Sequence, residues 1–286
     1  MGLSPAMLTM GIFLFLPLCL VVIFSFLDKG RYGGVNWVFD LDAYKRLVLV
    51  QRLDGSVQYN WSFINVFMRS FVLAALTTII CALIAFPTAY YVSRRSARTK
   101  SILLLLIMFP FWSNLLVRTT SWILILRDFG LVNKTLMWLN IIGEPLTLLY
   151  TNGSILVGLV YVYIPFMILP IFTSVERLDF RMIEASYDLF ASRFNTMRRI
   201  VIPLTSPGII AGSILVFIPS LGAFITPDLL GGGKKLMLGS LIQLQFTTAK
   251  NWPYGASLSV LLMALVLVAL FLVARASSAK NEKDAS

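Results

Sequence analysis

Residues 176–206 set five arginines (Arg177, Arg181, Arg193, Arg198, Arg199) among four acids (Glu176, Asp179, Glu184, Asp188), between two long apolar runs. Charges at that density stay in water or pair with a partner, and they cannot face lipid. Ile183, Tyr187, Phe190 and Phe194 recur there at steps of four, three and four, which predicts a charged helix with one apolar stripe. Asp179 is placed to cap its first turn, and Glu184 falls early, where the helix dipole favours negative charge. The pattern predicts two short helices meeting near Ala191 and Ser192 and lying along the membrane surface. Pro203 and Pro207 are expected to stop the second and start the next span. Two readings fit: an amphipathic loop resting on lipid, or a helix whose apolar face fills a groove in a cytoplasmic partner.

Other chemistry is scarce. The chain has no histidine, which removes the commonest general base and the commonest metal ligand. Cys19 and Cys81 fall inside apolar runs and read as packing residues; two such thiols make neither a metal site nor a disulfide framework. "GGGKKLML", from Gly231, approaches a phosphate loop but has Lys235 where Ser or Thr must stand, and it follows an apolar span rather than a strand. No paired carboxylates and no nucleophile–base pattern suggest catalysis. The chain is therefore expected to be no enzyme and to hold no cofactor; any fuel is hydrolysed on another chain.

Charges at depth are functional by default and usually paired. Arg118 lies about 17 residues into one apolar run and Asp228 ends another. They could pair across a helix bundle, or Arg118 could snorkel while Asp228 is solvated at the rim. Trp112, Trp122, Tyr161, Tyr163 and Phe224, with Asp228, could offer aromatic faces and charge to a cation on its way through. With 21 Phe, 10 Tyr and 6 Trp, such sets also arise by chance, and core packing or interfacial belts explain most of them.

The elements that must position these residues are membrane helices. Of 286 residues, 58% are hydrophobic and 13% charged, half the usual charged share. A helix needs about 20 apolar residues to cross the hydrocarbon core. Six runs meet that length: 6–27, 71–92, 102–126, 154–175, 207–227 and 256–274. Prolines 17, 87, 110, 165, 170 and 219 lie within them and are expected to demote none, because neighbouring helices can satisfy the freed carbonyls. The first run has no basic segment before it and no small-residue cleavage site after it, so it reads as a span.

The net charge of +11 is spread over loops, which argues for topology rather than nucleic acid. With both termini cytoplasmic, the two sides nearly balance, 12 Lys and Arg inside against 11 outside. Density decides: "SRRSARTK" at 93–100 packs Arg94, Arg95, Arg98 and Lys100 into a short loop with no acid. That loop, 176–206 and the C-terminus are expected inside. Outside lie 28–70, with a Gly-rich turn and a short helix capped by Asp40; 127–153, with an interfacial helix carrying Trp138; and 228–255.

"EASYDLFASRFNTMRRIVIP" resembles the EAA motif of the membrane subunits of bacterial type I ABC importers. Glu184 and Ala185 match outright, Ser186 is a small substitute for the second alanine, and Asp188 and Leu189 agree with common occupants. Ala191 matches the later alanine, Met197 takes the usual phenylalanine position, and Pro203 closes the motif at the expected spacing. Phe190 departs from it, standing where the family has glycine. If that glycine turns the chain with a positive φ, a phenylalanine is strained there; either the turn differs or Phe190 is an extra apolar knob. "SFVLAALTTIICALIAFPTAYYVSRR", "FPFWSNLLVRTTSWILIL", "GLVYVYIPFMILP" and "LVFIPSLGAFITPDLLGG" extend the resemblance over nearly the whole chain, toward spermidine/putrescine permeases.

The resemblance implies an all-α membrane protein of six transmembrane helices with the type I ABC importer fold and cytoplasmic termini. It implies a first helix and periplasmic segment over 1–64, a type I transmembrane domain over 65–275, and a disordered tail over 276–286. It also implies partners: two ABC ATPase subunits that hold ATP and magnesium, a second permease subunit, a periplasmic polyamine-binding protein and membrane lipid. Relatives for a metal, an oxyanion, thiamine or an opine share much of this framework. A secondary transporter is the further alternative, but it would be expected to carry acids or histidines at mid-membrane.

Overall fold

The computed structural model describes residues 4–51 and 56–285. In chain order the helices are α1 (Ser4–Ser25), α2 (Asp42–Val48), α3 (Trp61–Ser93), α4 (Ala97–Met108), α5 (Leu115–Leu126), α6 (Leu131–Trp138), α7 (Asn152–Glu176), α8 (Phe180–Asp188), α9 (Arg193–Thr196), α10 (Ile202–Leu221), α11 (Ile225–Gly231), α12 (Leu238–Thr247) and α13 (Trp252–Ala285). The purely helical expectation is corrected by two small antiparallel ribbons, β1 (Leu27–Lys29) with β2 (Val35–Phe39) and β3 (Leu49–Gln51) with β4 (Val57–Tyr59). Two compact units result, Met1–Arg69 with Met237–Ser286, and Ser70–Leu236.

In the first unit α1 packs along α13, and Phe24 meets Trp252 with ring centroids 6.2 Å apart. The turn between β1 and β2 runs through Gly33 (φ 101°) and Gly34 (φ 78°), a backbone that disfavours other residues. The expected cap by Asp40 is corrected: the N-cap position is Leu41, which offers no side-chain acceptor, and Asp40 stands one residue earlier, accepting a hydrogen bond from the Asp42 amide at 3.0 Å. α13 continues to Ala285, so its backbone is helical through 276–285, where the polar composition pointed to a disordered tail.

In the second unit Cys81, Ala85, Ala89 and Val92 of α3 share one buried core with Met167, Ile171 and Val175 of α7 and with Val216 of α10. Small residues at four-residue steps let helix backbones approach closely without help from a hydrophobic effect. α10 uses glycine for the same purpose: a Cβ on Gly208 would run into the Pro170 carbonyl and Ser174, and one on Gly212 into Met167. The 127–146 loop hangs on one buried residue. Asn133 donates to the Leu146 carbonyl at 2.9 Å and accepts from the Leu146 amide at 3.0 Å. Trp138, at the end of α6, is exposed.

Among the described residues four helical stretches are long and apolar enough to cross a membrane alone: α3, α7, Arg193–Leu221 and Trp252–Phe271. A fifth crossing results if the bent pair Ala97–Trp112 and Leu115–Trp138 counts as one span, while the apolar part of α1, Thr9–Ser25, is shorter. The straight span over 102–126 is therefore corrected: the chain bends by 90° in its middle. Pro110 removes a donor and crowds the preceding turn, so 109–112 tighten into a 3₁₀ turn, and Ser113 and Asn114 become extended. Asn114 then restarts the helix as its cap, accepting from the Leu116 amide at 2.8 Å.

Pro203 gives the opposite surprise. It does not stop the helix that begins at Arg193, because a π-helical turn over Met197–Val201 absorbs the missing hydrogen bond. Arg193–Leu221 is one continuous rod of 29 residues. Its end also shifts: α10 stops at Leu221, and residues 222–224 separate it from α11, so Asp228 lies in a separate short helix rather than at the end of a span.

Candidate coupling segment and translocation path

After α7 the charged segment folds into α8, as its pattern predicts, and then into α9, which is the start of the long rod rather than a second short helix. Asp179 accepts from the Arg181 amide at 3.0 Å and Ser192 from the Asn195 amide at 3.3 Å, so both helices carry side-chain caps. Ile183 turns inward, whereas Tyr187, Phe190 and Phe194 are exposed, so the expected four-residue stripe does not share one buried face. Ser186 also faces inward. Its hydroxyl donates to the Ile183 carbonyl at 2.7 Å and meets the Thr196 hydroxyl at 2.9 Å. Glu184, Ala185, Asp188 and Pro203 are exposed, and Ala191 and Met197 are half-buried.

Phe190 makes the turn with φ +57°, the left-handed region that favours glycine. That conformation costs about 1–2 kcal/mol for a residue with a Cβ. The local hydrogen bonds hold it there: Phe190 donates to the Tyr187 carbonyl at 2.9 Å and Ala191 to the Ser186 carbonyl at 3.0 Å. The ring is 97% exposed, next to Leu189 at 82% and near Phe194 at 72%. Thr196 was not singled out by pattern, and Leu189 entered only as a common occupant of its motif position.

The segment is tied to the rest of its unit by charge. Lys100, in the first turn of α4, binds Glu176 at the end of α7 at 2.7 Å, and the Arg94 guanidinium lies 6.0 Å from the Phe180 ring centroid. Among the described residues this is one of two ion pairs, the other being Arg46 with Asp42. Arg118 and Asp228 thus do not pair. Asp228 is exposed, while Arg118 is 9% exposed, its guanidinium 5.9 Å from the Phe111 ring centroid and its Nε without a hydrogen-bond partner. Nor does Arg118 snorkel.

The bend at 109–114 opens an aromatic cavity of about 470 Å³, lined by Phe109, Pro110, Trp112, Ser113 and Tyr161. Trp122 meets Tyr161 edge to face, with centroids 5.6 Å apart. Three of the sequence candidates, Trp112, Trp122 and Tyr161, are therefore neighbours. Tyr163 is not with them; its hydroxyl donates to the Pro219 carbonyl at 3.1 Å and clasps α7 to α10. Phe224 stands in the break before α11, which carries Asp228 and packs against both α5 and α7. Irregular backbone at membrane depth is tolerated where it is buried in protein or lines a cavity. The run "FPFWSN" carried that signal, through a proline followed by a capping asparagine.

Comparison with known proteins follows the same lines. Residues 62–283 match the family described as "Binding-protein-dependent transport system inner membrane component". The chain is 37% identical over 95% of both lengths to the spermidine/putrescine transport system permease protein PotB of Escherichia coli K12. It is 35% identical to the PotB of Haemophilus influenzae, over 95% of this chain and 91% of that one. The inner membrane ABC transporter permease protein YdcU of Escherichia coli K12 is 33% identical over 87% of this chain and 80% of its own length. In fold, the chain is similar to a solved bacterial ABC transporter involved in the import of the acidic polysaccharide alginate. The TM-score there is 0.69 at 15% identity, covering 96% of this chain and 94% of that one. Long apolar helices, an EAA-like segment on a pair of capped helices and this family match agree: the chain belongs to the binding-protein-dependent transport system inner membrane components.

Proposed function

We propose that this chain is the permease subunit of an ATP-driven importer that carries spermidine or putrescine across the inner membrane. The relatives named for that transport, matched over nearly their whole length, are the observation that carries the reading. In it α1, α3, the bent α4–α5 pair, α7, the Arg193–Leu221 rod and α13 make six crossings, with both termini in the cytoplasm. The functional division is 1–64 for the first crossing and periplasmic segment, 65–275 for the transport domain, and 276–286 for the cytoplasmic end. Two ATPase subunits, which hold ATP and magnesium, a second permease chain and a periplasmic polyamine-binding protein complete the machine.

The chain's part is mechanical. Glu184, Ala185, Asp188 and Phe190 face an ATPase subunit, with Ser186 setting the angle behind them. Because the second helix of this segment runs unbroken into α10, a push on it moves the whole rod along α7 rather than flexing a loop. The π-helical turn beside Pro203 and Met197 is the compliant point. A moving rod closes or opens the space around the bend at 109–114.

The path suits a weakly held polycation. Trp112, Trp122 and Tyr161 present aromatic faces to its ammonium groups, at about 0.5–2 kcal/mol each, and Phe224 and Asp228 receive it at the second break. No carboxylate lines the aromatic cavity, and Arg118 adds buried positive charge nearby. High-affinity capture then belongs to the separate binding protein.

The test uses the assembled importer in liposomes. ATPase activity should rise with spermidine-loaded binding protein and fall to the basal rate with Glu184→Lys. Basal ATPase activity with no polyamine response would keep the importer and discard the solute. No association with an ATPase subunit would overturn the reading.

A further inference from the structure

Behind the aromatic cavity at the 109–114 bend lies a charge of the same sign as the proposed solute. Resting on the importer reading, we propose that Arg118 sets solute release: its buried, uncompensated charge keeps the transit site from holding a polycation too tightly.

Geometry puts that charge one side chain from the cavity. The Arg118 guanidinium lies 5.9 Å from the Phe111 ring centroid. Phe111 stands between Pro110 and Trp112, which both line the cavity, and it meets Phe166 of α7 edge to face with centroids 5.2 Å apart. One turn along α5 from Arg118, on the same helix face, Trp122 meets Tyr161, another lining residue.

Nothing among the described residues cancels the charge. Arg118 is 9% exposed, its Nε has no hydrogen-bond partner, and neither ion pair includes it. α5 carries no acid, and the helices packed against it, α6, α7 and α11, carry Glu176 and Asp228. Glu176 holds Lys100, while Asp228 is exposed and in neither ion pair. Arginine keeps its proton in a protein interior, and a buried charge is poorly screened by salt. An unpaired buried charge costs stability, so its presence at membrane depth points to a use.

The use follows from what a transit site must do. Aromatic faces attract each ammonium group of a polycation, so the hold tightens as the solute's charge grows. Passage requires binding favourable enough to enter and weak enough to leave. A fixed guanidinium opposes each ammonium in turn, so its repulsion grows with the same charge and offsets that hold.

The experiment uses the complete importer in nanodiscs, without its binding protein, and measures direct binding of radiolabelled spermidine and putrescine. Arg118→Met should tighten binding of trivalent spermidine about tenfold and of divalent putrescine about fivefold, because the relieved repulsion scales with solute charge. Maximal spermidine uptake in liposomes, driven by ATP and saturating loaded binding protein, should fall several-fold. Arg118→Lys, which keeps the charge, should behave as the parent. The thermal midpoint of Arg118→Met should hold or rise, because the variant loses an unpaired buried charge. Equal gains for the two solutes, or none, overturn the proposal. So does loss of the second permease chain from Arg118→Met, which would make the guanidinium a contact between chains. If the parent complex takes up no spermidine from the loaded protein, the importer reading falls and this one with it. Normal parent uptake with unchanged binding in Arg118→Met removes this one alone.

Discussion

The Ser186 and Thr196 hydroxyls meet at 2.9 Å in the buried angle between α8 and α9, ten residues apart in the chain. Ser186 spends its proton on the Ile183 carbonyl, so Thr196 must donate to Ser186. The pair fixes the angle at which the exposed face of α8 meets the rod that begins at α9.

Removing one hydroxyl should therefore cost more than removing both. Ser186→Ala leaves Thr196 as a buried donor without an acceptor, a penalty of about 1–3 kcal/mol. The double variant Ser186→Ala, Thr196→Val should recover part of that in thermal unfolding. Transport per ATP hydrolysed should fall in the single variant before expression does. Additive losses in the cycle would mean that the two hydroxyls act independently.

Phe190 carries strain that glycine would release. Phe190→Gly should stabilise the isolated chain by about 1 kcal/mol or less, offset in part by the freer unfolded state. It should also weaken ATPase-subunit association by about tenfold or more, since a buried aromatic anchor commonly exceeds 1.4 kcal/mol at an interface. Co-purification at graded detergent and salt reads the second effect. Full retention of association with gained stability would reduce the position to a turn.

The aromatic cavity predicts graded losses. Trp112→Ala and Tyr161→Ala should each lower polyamine uptake several-fold, with Trp112→Phe in between, because the face of the ring and not its polar atom meets the cation. Stimulation of ATPase activity by the loaded binding protein should persist in all three. Uptake equal to the parent in Trp112→Ala would move the path elsewhere.

Gly208 tests the lever. A Cβ there meets the Pro170 carbonyl and Ser174, neither of which can withdraw freely inside α7. Gly208→Ala should lower stability by about 1–3 kcal/mol through overpacking, and Gly208→Val should abolish a folded complex. Tolerance of valine would mean that the rod does not lie against α7 as described.

Lys100 and Glu176 should matter for coupling more than for stability. A partly exposed pair is worth about 1 kcal/mol or less, yet this one joins the first turn of α4 to the end of α7, beside the coupling segment. Lys100→Glu should uncouple ATP hydrolysis from uptake, and adding Glu176→Lys should restore it. Equal uptake in all variants would assign the pair to the surface.

Much of this protein was written in local pattern. Apolar runs of about 20 residues identify spans because lipid cannot satisfy a backbone left unbonded. Asp179 and Ser192 mark helix starts because capping needs only a short acceptor at one position. The spacing from Glu184 to Pro203 was enough to place the charged segment in a family. These features depend on neighbours within a turn or two, so one dimension carries them.

Packing decided the rest, because it depends on partners far along the chain. Pro110 and Pro203 have the same local chemistry, yet one sits at a 90° bend and the other lies inside a continuous rod. Beside Pro203 a π-helical turn absorbs the lost bond; at Pro110 two extended residues follow. Depth left open whether Arg118 and Asp228 pair, but the break after Leu221 puts Asp228 on a separate short helix, exposed, while Arg118 is buried. Phe190 is the sharpest case. Its strain follows from its type once φ is known, but φ is fixed by the turn that carries the chain from α8 into α9, held by hydrogen bonds from Phe190 to the Tyr187 carbonyl and from Ala191 to the Ser186 carbonyl.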